Sequence, residues 1–220
     1  MGVNEMKDIV IIGAGGFGRE VAWLIEDINK DKAEWNIMGF VDENPKIKGN
    51  YINSYKVLGD IEWLKRQDCY AVCAIGDPIA KKTILEKLEG SKVKYPILIH
   101  PSVIMSDNIE IGEGSIICAG NLVTVNIKIG KHVIINLDCT IGHDANIHNY
   151  CTILPSVNVS GAVNIGECVN IGTGTQIIQG INIGRNTIIG AGSVVIRDLP
   201  SNCTAVGLPA SAIKYHGFVN

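Results

Sequence analysis

The strongest pattern in the chain has a period of six. From Ile111 onward every sixth position is aliphatic: Ile111, Ile117, Val123, Ile129, Ile135, Ile141, Ile147, Ile153, Val159, Ile165, Ile171, Ile177, Ile183, Ile189 and Val195. Glycine directly follows at 112, 130, 142, 166, 172, 184 and 190. Two positions before the aliphatic the residue is small or apolar in most units, as at Val133, Cys139, Ala145, Val157 and Val163. Neither a helix, at 3.6 residues per turn, nor a strand, at two, repeats every six. The period predicts a prism-shaped β-helix with one short strand and one corner per unit. Three units make an 18-residue coil, so the fifteen units predict five coils. Each aliphatic points inward onto the residues 18 before and after it, and parallel ladders hold the coils ~4.8 Å apart. Glycine is expected to relieve the backbone at the corner. The phase never breaks between 111 and 195, so no long loop interrupts the coils.

Before residue 100 the pattern changes. Residues 8–12 read as a buried strand. Residues 19–29 have helical apolar spacing at Val21, Leu24, Ile25 and Ile28. Strands are predicted at 36–41, 70–75 and 95–99, and a second helix at 79–88. Alternating strands and helices imply a parallel sheet whose ligand sits at the strand C-termini. The fold class is therefore α/β plus all-β, with a small Rossmann-like domain over 1–100 and a β-helix domain with a C-terminal tail over 101–220.

Composition sharpens that division. Nine of the twelve aromatic residues fall between Phe17 and Tyr95, and Ile111 to Ile196 contains only seven charged side chains. Isoleucine alone fills 36 positions, which suits a bore that admits branched aliphatics and little else. A formal net charge of −3 over 220 residues gives no electrostatic footprint for nucleic acid. No apolar run approaches the ~20 residues of a membrane span. The polar start at residues 1–7 predicts no export signal and a cytoplasmic protein. The seven cysteines form no C-x-x-C pair and read as reduced, buried small hydrophobes, not as a zinc ribbon.

Two constellations carry candidate chemistry. The first is Gly13-Ala14-Gly15-Gly16-Phe17-Gly18, between a strand and a helix. Gly13 permits a tight turn, Gly15 lets a phosphate approach the backbone, and the helix N-terminus offers free N–H groups. Asp42-Glu43 at the second strand end can hydrogen-bond a ribose or base. NAD is the usual ligand of this pattern. The few strands available make one mononucleotide half, which favours a ligand with a single nucleoside. The second constellation is His143-Asp144, an imidazole beside a carboxylate on coils otherwise poor in charge. Histidine is suited to accept a proton near neutral pH, and the carboxylate can fix its tautomer. Of the other histidines, His100 reads as structural, His132 and His216 as solvent-facing, and His148 as a corner residue. His143 and His148 form H-x4-H, which resembles part of the metal site of gamma-class carbonic anhydrases. The position of their third histidine corresponds to Asp107, so no metal is expected.

The repeat resembles the hexapeptide-repeat family, which folds as a left-handed parallel β-helix, is dominated by acyltransferases and usually forms trimers with active sites between prisms. G-x-G-G at 13–16, Asp42-Glu43, Ala74-Ile75-Gly76 and Ile141-Gly142-His143-Asp144 together resemble one branch over nearly the whole chain. That branch comprises nucleotide-sugar N-acetyltransferases and sialic acid O-acetyltransferase-like proteins. The resemblance implies acetyl-CoA as cosubstrate, a nucleotide-linked amino (dideoxy) sugar of bacterial glycan synthesis as acceptor, and a homotrimer without nucleic-acid or membrane partners. His143 would be the general base and Asp144 its helper. Gly13, Ala14, Gly15, Asp42, Glu43 and Gly76 would hold the nucleotide, and Asn136 would lie near the reacting sugar. Thr152, Gly161, Thr173 and Ala191 would line the acetyl-CoA groove. Thr152 stands where some members have a second histidine. Ala205-Val206-Gly207-Leu208-Pro209-Ala210 matches a V-G-x-P-A segment near coenzyme A, with Ser211 where the family commonly has Lys or Arg. The rival readings are transfer to a sugar hydroxyl and a non-catalytic scaffold.

Overall fold

The computed structural model describes residues 6–217. The expectation about the polar start rests largely on residues outside that range. The first part is a five-stranded sheet in the order β3-β4-β2-β1-β5. Its strands are β1 (Lys7–Ile12), β2 (Trp35–Val41), β3 (Tyr51–Ile52), β4 (Tyr55–Gly59) and β5 (Tyr70–Cys73). All neighbouring strands are parallel except the β3–β4 hairpin. Ile9 and Ile11 of β1 pack under helix α1 (Gly16–Asp31), beside Val21, Leu24 and Ile25. Val10 and Ile12 point the other way, toward α2 (Ile61–Leu64) and α3 (Pro78–Lys87). Burial on both sides explains why β1 reads as an unbroken apolar run.

Three differences from expectation concern this region. The β3–β4 hairpin and α2 carry no strong periodic signal and were not expected. The strand expected at 95–99 does not join this sheet. Lys94 makes one bridge to Tyr70, Pro96 has no N–H to continue the ladder, and Leu98–Ile99 becomes the first strand of the prism.

The prism has three faces. Face one runs from Leu98–Ile99 through Ile116–Ile117, Ile134–Ile135, Thr152–Ile153, Asn170–Ile171 and Ile188–Ile189 to Cys203–Gly207. Face two runs from Ile104–Met105 to Val194–Val195, and face three from Ile109–Ile111 to Asn182–Ile183. Successive strands pair in parallel with an 18-residue offset, so that Ile117, Ile135, Ile153, Ile171 and Ile189 stack in one column. The inward aliphatics are buried and form one continuous core. The coils begin before Ile111 and tighten at the far end, where Ile183 pairs with Leu199 and Ile189 with Ala205. A hairpin of Cys203–Gly207 with Ala210–Tyr215 then ends the stack.

Gly114, Gly120, Gly174, Gly180 and Gly192 relieve the backbone at corners as expected, but the glycines directly after the aliphatic act differently. The left-handed conformation falls three residues after the aliphatic, at Asn126 (φ 56), His132 (φ 53), Asp138 (φ 56), Asp144 (φ 59) and onward. Glycine next to the aliphatic answers a packing demand instead. A Cβ on Gly142 would lie 2.6 Å from the Gly161 nitrogen on the following coil.

The α/β domain sits on face one. Ile116 and Ile134, pointing outward, share a core with Ile9, Ile11 and Leu24. His132 is trapped in the same junction. It is only 6% exposed, with its ring stacked on Tyr150 at 5.7 Å and edge-on to Tyr95 at 4.9 Å. Burial, first of all, pushes its pKa down to about 4. The solvent-facing expectation for His132 was wrong because the domain covers its corner. His216 is half-buried and bonds Thr204 through Nε2 at 2.9 Å. His100 ties the domains, with Nε2 3.1 Å from Asp27 Oδ2 and Nδ1 2.8 Å from Ser102 Oγ.

Candidate active site

A cavity of about 360 Å³ opens at the C-terminal ends of β1, β2 and β5. Gly13, Gly15, Asp42, Glu43 and Gly76 line it together with apolar Phe17, Ile61, Ile75 and Ile84. Gly13 has φ +96, which a side chain rarely adopts. Gly15 is the N-cap of α1, and among the described residues no side chain caps that helix and nothing lies within 4 Å of where its Cβ would be. The first-turn N–H groups of α1 are thus left facing the cavity mouth, an arrangement suited to anions. Asp42 has a second task. Its Oδ2 accepts from the Ala14 N–H and its Oδ1 from the Asn44 N–H, both at 2.9 Å. Ala14 is therefore buried, with its donor spent on Asp42, and shapes the turn instead of lining the cavity. Glu43 reaches Lys87 at 3.4 Å in an exposed pair.

On the prism, His143 and Asp144 lie at the corner between faces two and three. The His143 Nδ1 stands 2.8 Å from Asp144 Oδ2. A carboxylate partner assigns the proton to Nδ1 and leaves the Nε2 lone pair free. The hydrogen bond to His143, and then one from Asn126, hold the Asp144 carboxyl below the usual carboxylate range. Gly161 lies against the ring on the next coil, where a Cβ would collide with the imidazole.

The remaining expected residues fall elsewhere. Thr173 and Ala191 are exposed, 18 residues apart on the corner between faces one and two. Asn136 is at the same corner but only 7% exposed, and its Oδ1 accepts from the Leu137 N–H at 2.7 Å. Thr152 is 1% exposed on face one, beneath α3. Its Oγ1 accepts from Lys81 Nζ at 3.0 Å, and Cys151 O accepts from the same ammonium at 3.1 Å. Thr152 therefore does not line an open groove, because the α/β domain covers it. Sequence reasoning missed Lys81. The available signal was its place on the buried face of α3, with Pro78 and Leu85 at i−3 and i+4. Among the described residues no three His, Cys, Asp or Glu side chains are grouped to hold a metal ion. His148 instead contacts Asn146 and Asn164 through Nε2.

Residues 8–88 match the PglD N-terminal domain family. A histidine-to-asparagine variant of perosamine N-acetyltransferase from Caulobacter crescentus, in complex with CoA and GDP-perosamine, is 30% identical. It superposes with a TM-score of 0.84 over 96% of this chain and 98% of that one. This chain belongs to the nucleotide-sugar N-acetyltransferase family. The acetyltransferase domain of PglB from Neisseria gonorrhoeae, in complex with acetyl coenzyme A, is 29% identical with a TM-score of 0.86, covering 95% and 100% of the two chains. UDP-N-acetylbacillosamine N-acetyltransferase from Bacillus subtilis (strain 168) is 34% identical over 118 residues, and the match spans 52% of each protein. The two solved relatives superpose over 96% and 95% of this chain, and so over both the α/β domain and the prism. Among the described residues of this N-acetyltransferase family member, no helix is long and apolar enough to cross a membrane.

Proposed function

We propose that this protein transfers the acetyl group of acetyl-CoA to the amino group of a nucleotide-linked amino sugar. The observation that carries this is the His143–Asp144 pair, whose free Nε2 can accept a proton at an open corner of the prism. The amine nitrogen attacks the thioester carbonyl, and His143 Nε2 takes the proton the nitrogen must lose. When the tetrahedral intermediate collapses, the C–S bond breaks and the CoA sulfur leaves with that proton. The nucleotide lies across Gly13, Gly15 and Gly76, its phosphates toward the N-terminus of α1. Asp42 and Glu43 meet the nucleoside.

The placement of the two halves argues for a shared site. The α/β domain covers face one, whereas His143 occupies the corner opposite that face. An acceptor held by one chain meets the His143 of a neighbour. Thr173 and Ala191 on one corner and Gly161 on another then form the two walls of an acetyl-CoA groove between prisms. A head-to-tail contact closes into a ring where the rotation between copies allows, and the family resemblance makes that ring a homotrimer. The seven cysteines are all free and buried, in keeping with a cytoplasmic enzyme of glycan synthesis.

The test is acetyl-CoA consumption against a panel of UDP- and GDP-linked amino sugars. N-acetylation of one of them is expected, with kcat reduced ~10²–10⁴-fold in His143→Ala if the imidazole is the base. A fully active His143→Ala would remove the base assignment. Acetylation confined to sugar hydroxyls would replace the acceptor.

A further inference from the structure

Asp144 has two carboxylate oxygens, and only one faces His143. Oδ2 meets His143 Nδ1 at 2.8 Å, while Oδ1 accepts from Asn126 Nδ2 at 3.3 Å. Asn126 is 18 residues earlier, directly below Asp144 on the previous coil. Both residues have left-handed backbone, with φ 56 and 59, so their side chains leave the corner in register. Asn126 Oδ1 in turn faces Asn108 Nδ2 at 3.5 Å, one coil lower. That contact orients the amide so that its NH2 points toward Asp144. On the coil above, the equivalent residue is Ala162, which offers no donor.

We propose that Asn126 is a positioning residue for His143, acting through Asp144 in a relay that runs Asn108–Asn126–Asp144–His143 along one corner of the prism. The inference rests on the reading of His143 as the proton acceptor. The terminal torsion of an aspartate is broad, and Asp144 is half exposed. One hydrogen bond leaves such a carboxylate free to swing about the His143 contact. A second, from the opposite side, fixes the plane that the Nδ1–H must meet.

Left-handed backbone alone does not call for asparagine here. The same position in other six-residue units holds His132, Asp138, Tyr150, Ser156, Ala162 and Cys168 as well as Asn186 and Asn202. The molecule also carries its own contrast. On face three Asn146 and Asn164 both approach His148, but among the described residues no carboxylate stands between amide and ring. A ladder of amides there meets an imidazole without fixing its tautomer.

Asn126→Gly is the informative substitution, because glycine adopts the left-handed backbone without strain. Nitrogen-15 NMR of the imidazole in the full chain reads the tautomer directly. In the parent protein the His143 proton is expected on Nδ1, and in Asn126→Gly a substantial share moves to Nε2. In the acetyl-transfer assay kcat should fall about tenfold, with KM for both substrates unchanged. In an Asp144→Ala background, adding Asn126→Gly should change neither the tautomer nor kcat. An unaltered tautomer in Asn126→Gly overturns the relay. So does an equal loss in the Asp144→Ala background, which would mean that Asn126 merely supports the corner. Should the parent transfer no acetyl group to any amino sugar, the acetyl-transfer reading fails, while the tautomer comparison still decides the relay.

Discussion

A methyl group added at position 161 has one place to go, into the imidazole of His143. The backbone there is not in the left-handed region, so alanine costs nothing through φ. Its cost falls on the ring. Gly161→Ala is expected to fold normally and to lose about tenfold or more in kcat, because the ring must leave the position in which Asp144 holds it. Steady-state kinetics beside a thermal melt check this, and a wild-type kcat would show that the ring position is unimportant. The motif at 141–144 drew attention to His143 and Asp144 because they are adjacent in sequence. The role of Gly161 against the ring was harder to read. Its contact lies one coil away, and glycine is already common at the corners for other reasons.

At the scale of elements, α3 links the two halves. One side lines the cavity through Ile84, and the other inserts Lys81 into face one. Burial pushes the Lys81 pKa down from 10.5 to about 8. The folded protein therefore releases this proton at about pH 8, while the unfolded chain keeps it to about 10.5. Between those values the unfolded state binds more protons, so stability rises with pH. Below pH 8 the lysine is charged in both states and its burial cost persists. Above pH 9 the buried thiols act in the opposite direction, since Cys73 and Cys151 are pushed up to about 12. The window is thus pH 8 to 9. Lys81→Met is expected to abolish that rise in Tm, while at pH 7 its Tm equals or exceeds the parent's. Cys151 O keeps its bond from the Ile134 N–H, so the substitution strands no carbonyl. A variant that keeps the parent's pH slope would show that another group titrates.

The coils were legible in the sequence because every inward contact recurs after 18 residues and each unit repeats the same demand. The β3–β4 hairpin was not legible. Tyr51–Ile52 is too short to show alternation, and its turn at Asn53 (φ 51) and Ser54 lacks the expected glycine. The bond from Lys81 to Thr152 spans 71 positions, and no local pattern announces it.

For the whole molecule, the decisive relation is between the covered face and the opposite corner. In the shared site proposed above, a chain that lacks His143 but keeps its cavity still presents an acceptor, and a chain with a ruined cavity still presents a base. Mixed assemblies of His143→Ala and Asp42→Ala chains, refolded together, should therefore recover activity that neither variant has alone. Gel filtration with a coupled acetyl-CoA assay reads the result. No recovery despite mixed assembly would mean that each chain uses its own base. The aromatic-poor prism and aromatic-rich first domain could be told apart from composition, but this relation needed the strand order of the three faces.

The hexad has a further consequence for how such a gene can change length. Loss of six codons beyond the coils that the α/β domain covers leaves every aliphatic facing the bore, so the stack itself is kept. It also rotates everything downstream by one face, which carries Thr173 and Ala191 off their corner. Loss of eighteen codons restores the alignment and only shortens the stack. Slippage in units of six would thus keep the stack and dismantle the proposed groove. Three successive slips are needed before the surface chemistry lines up again.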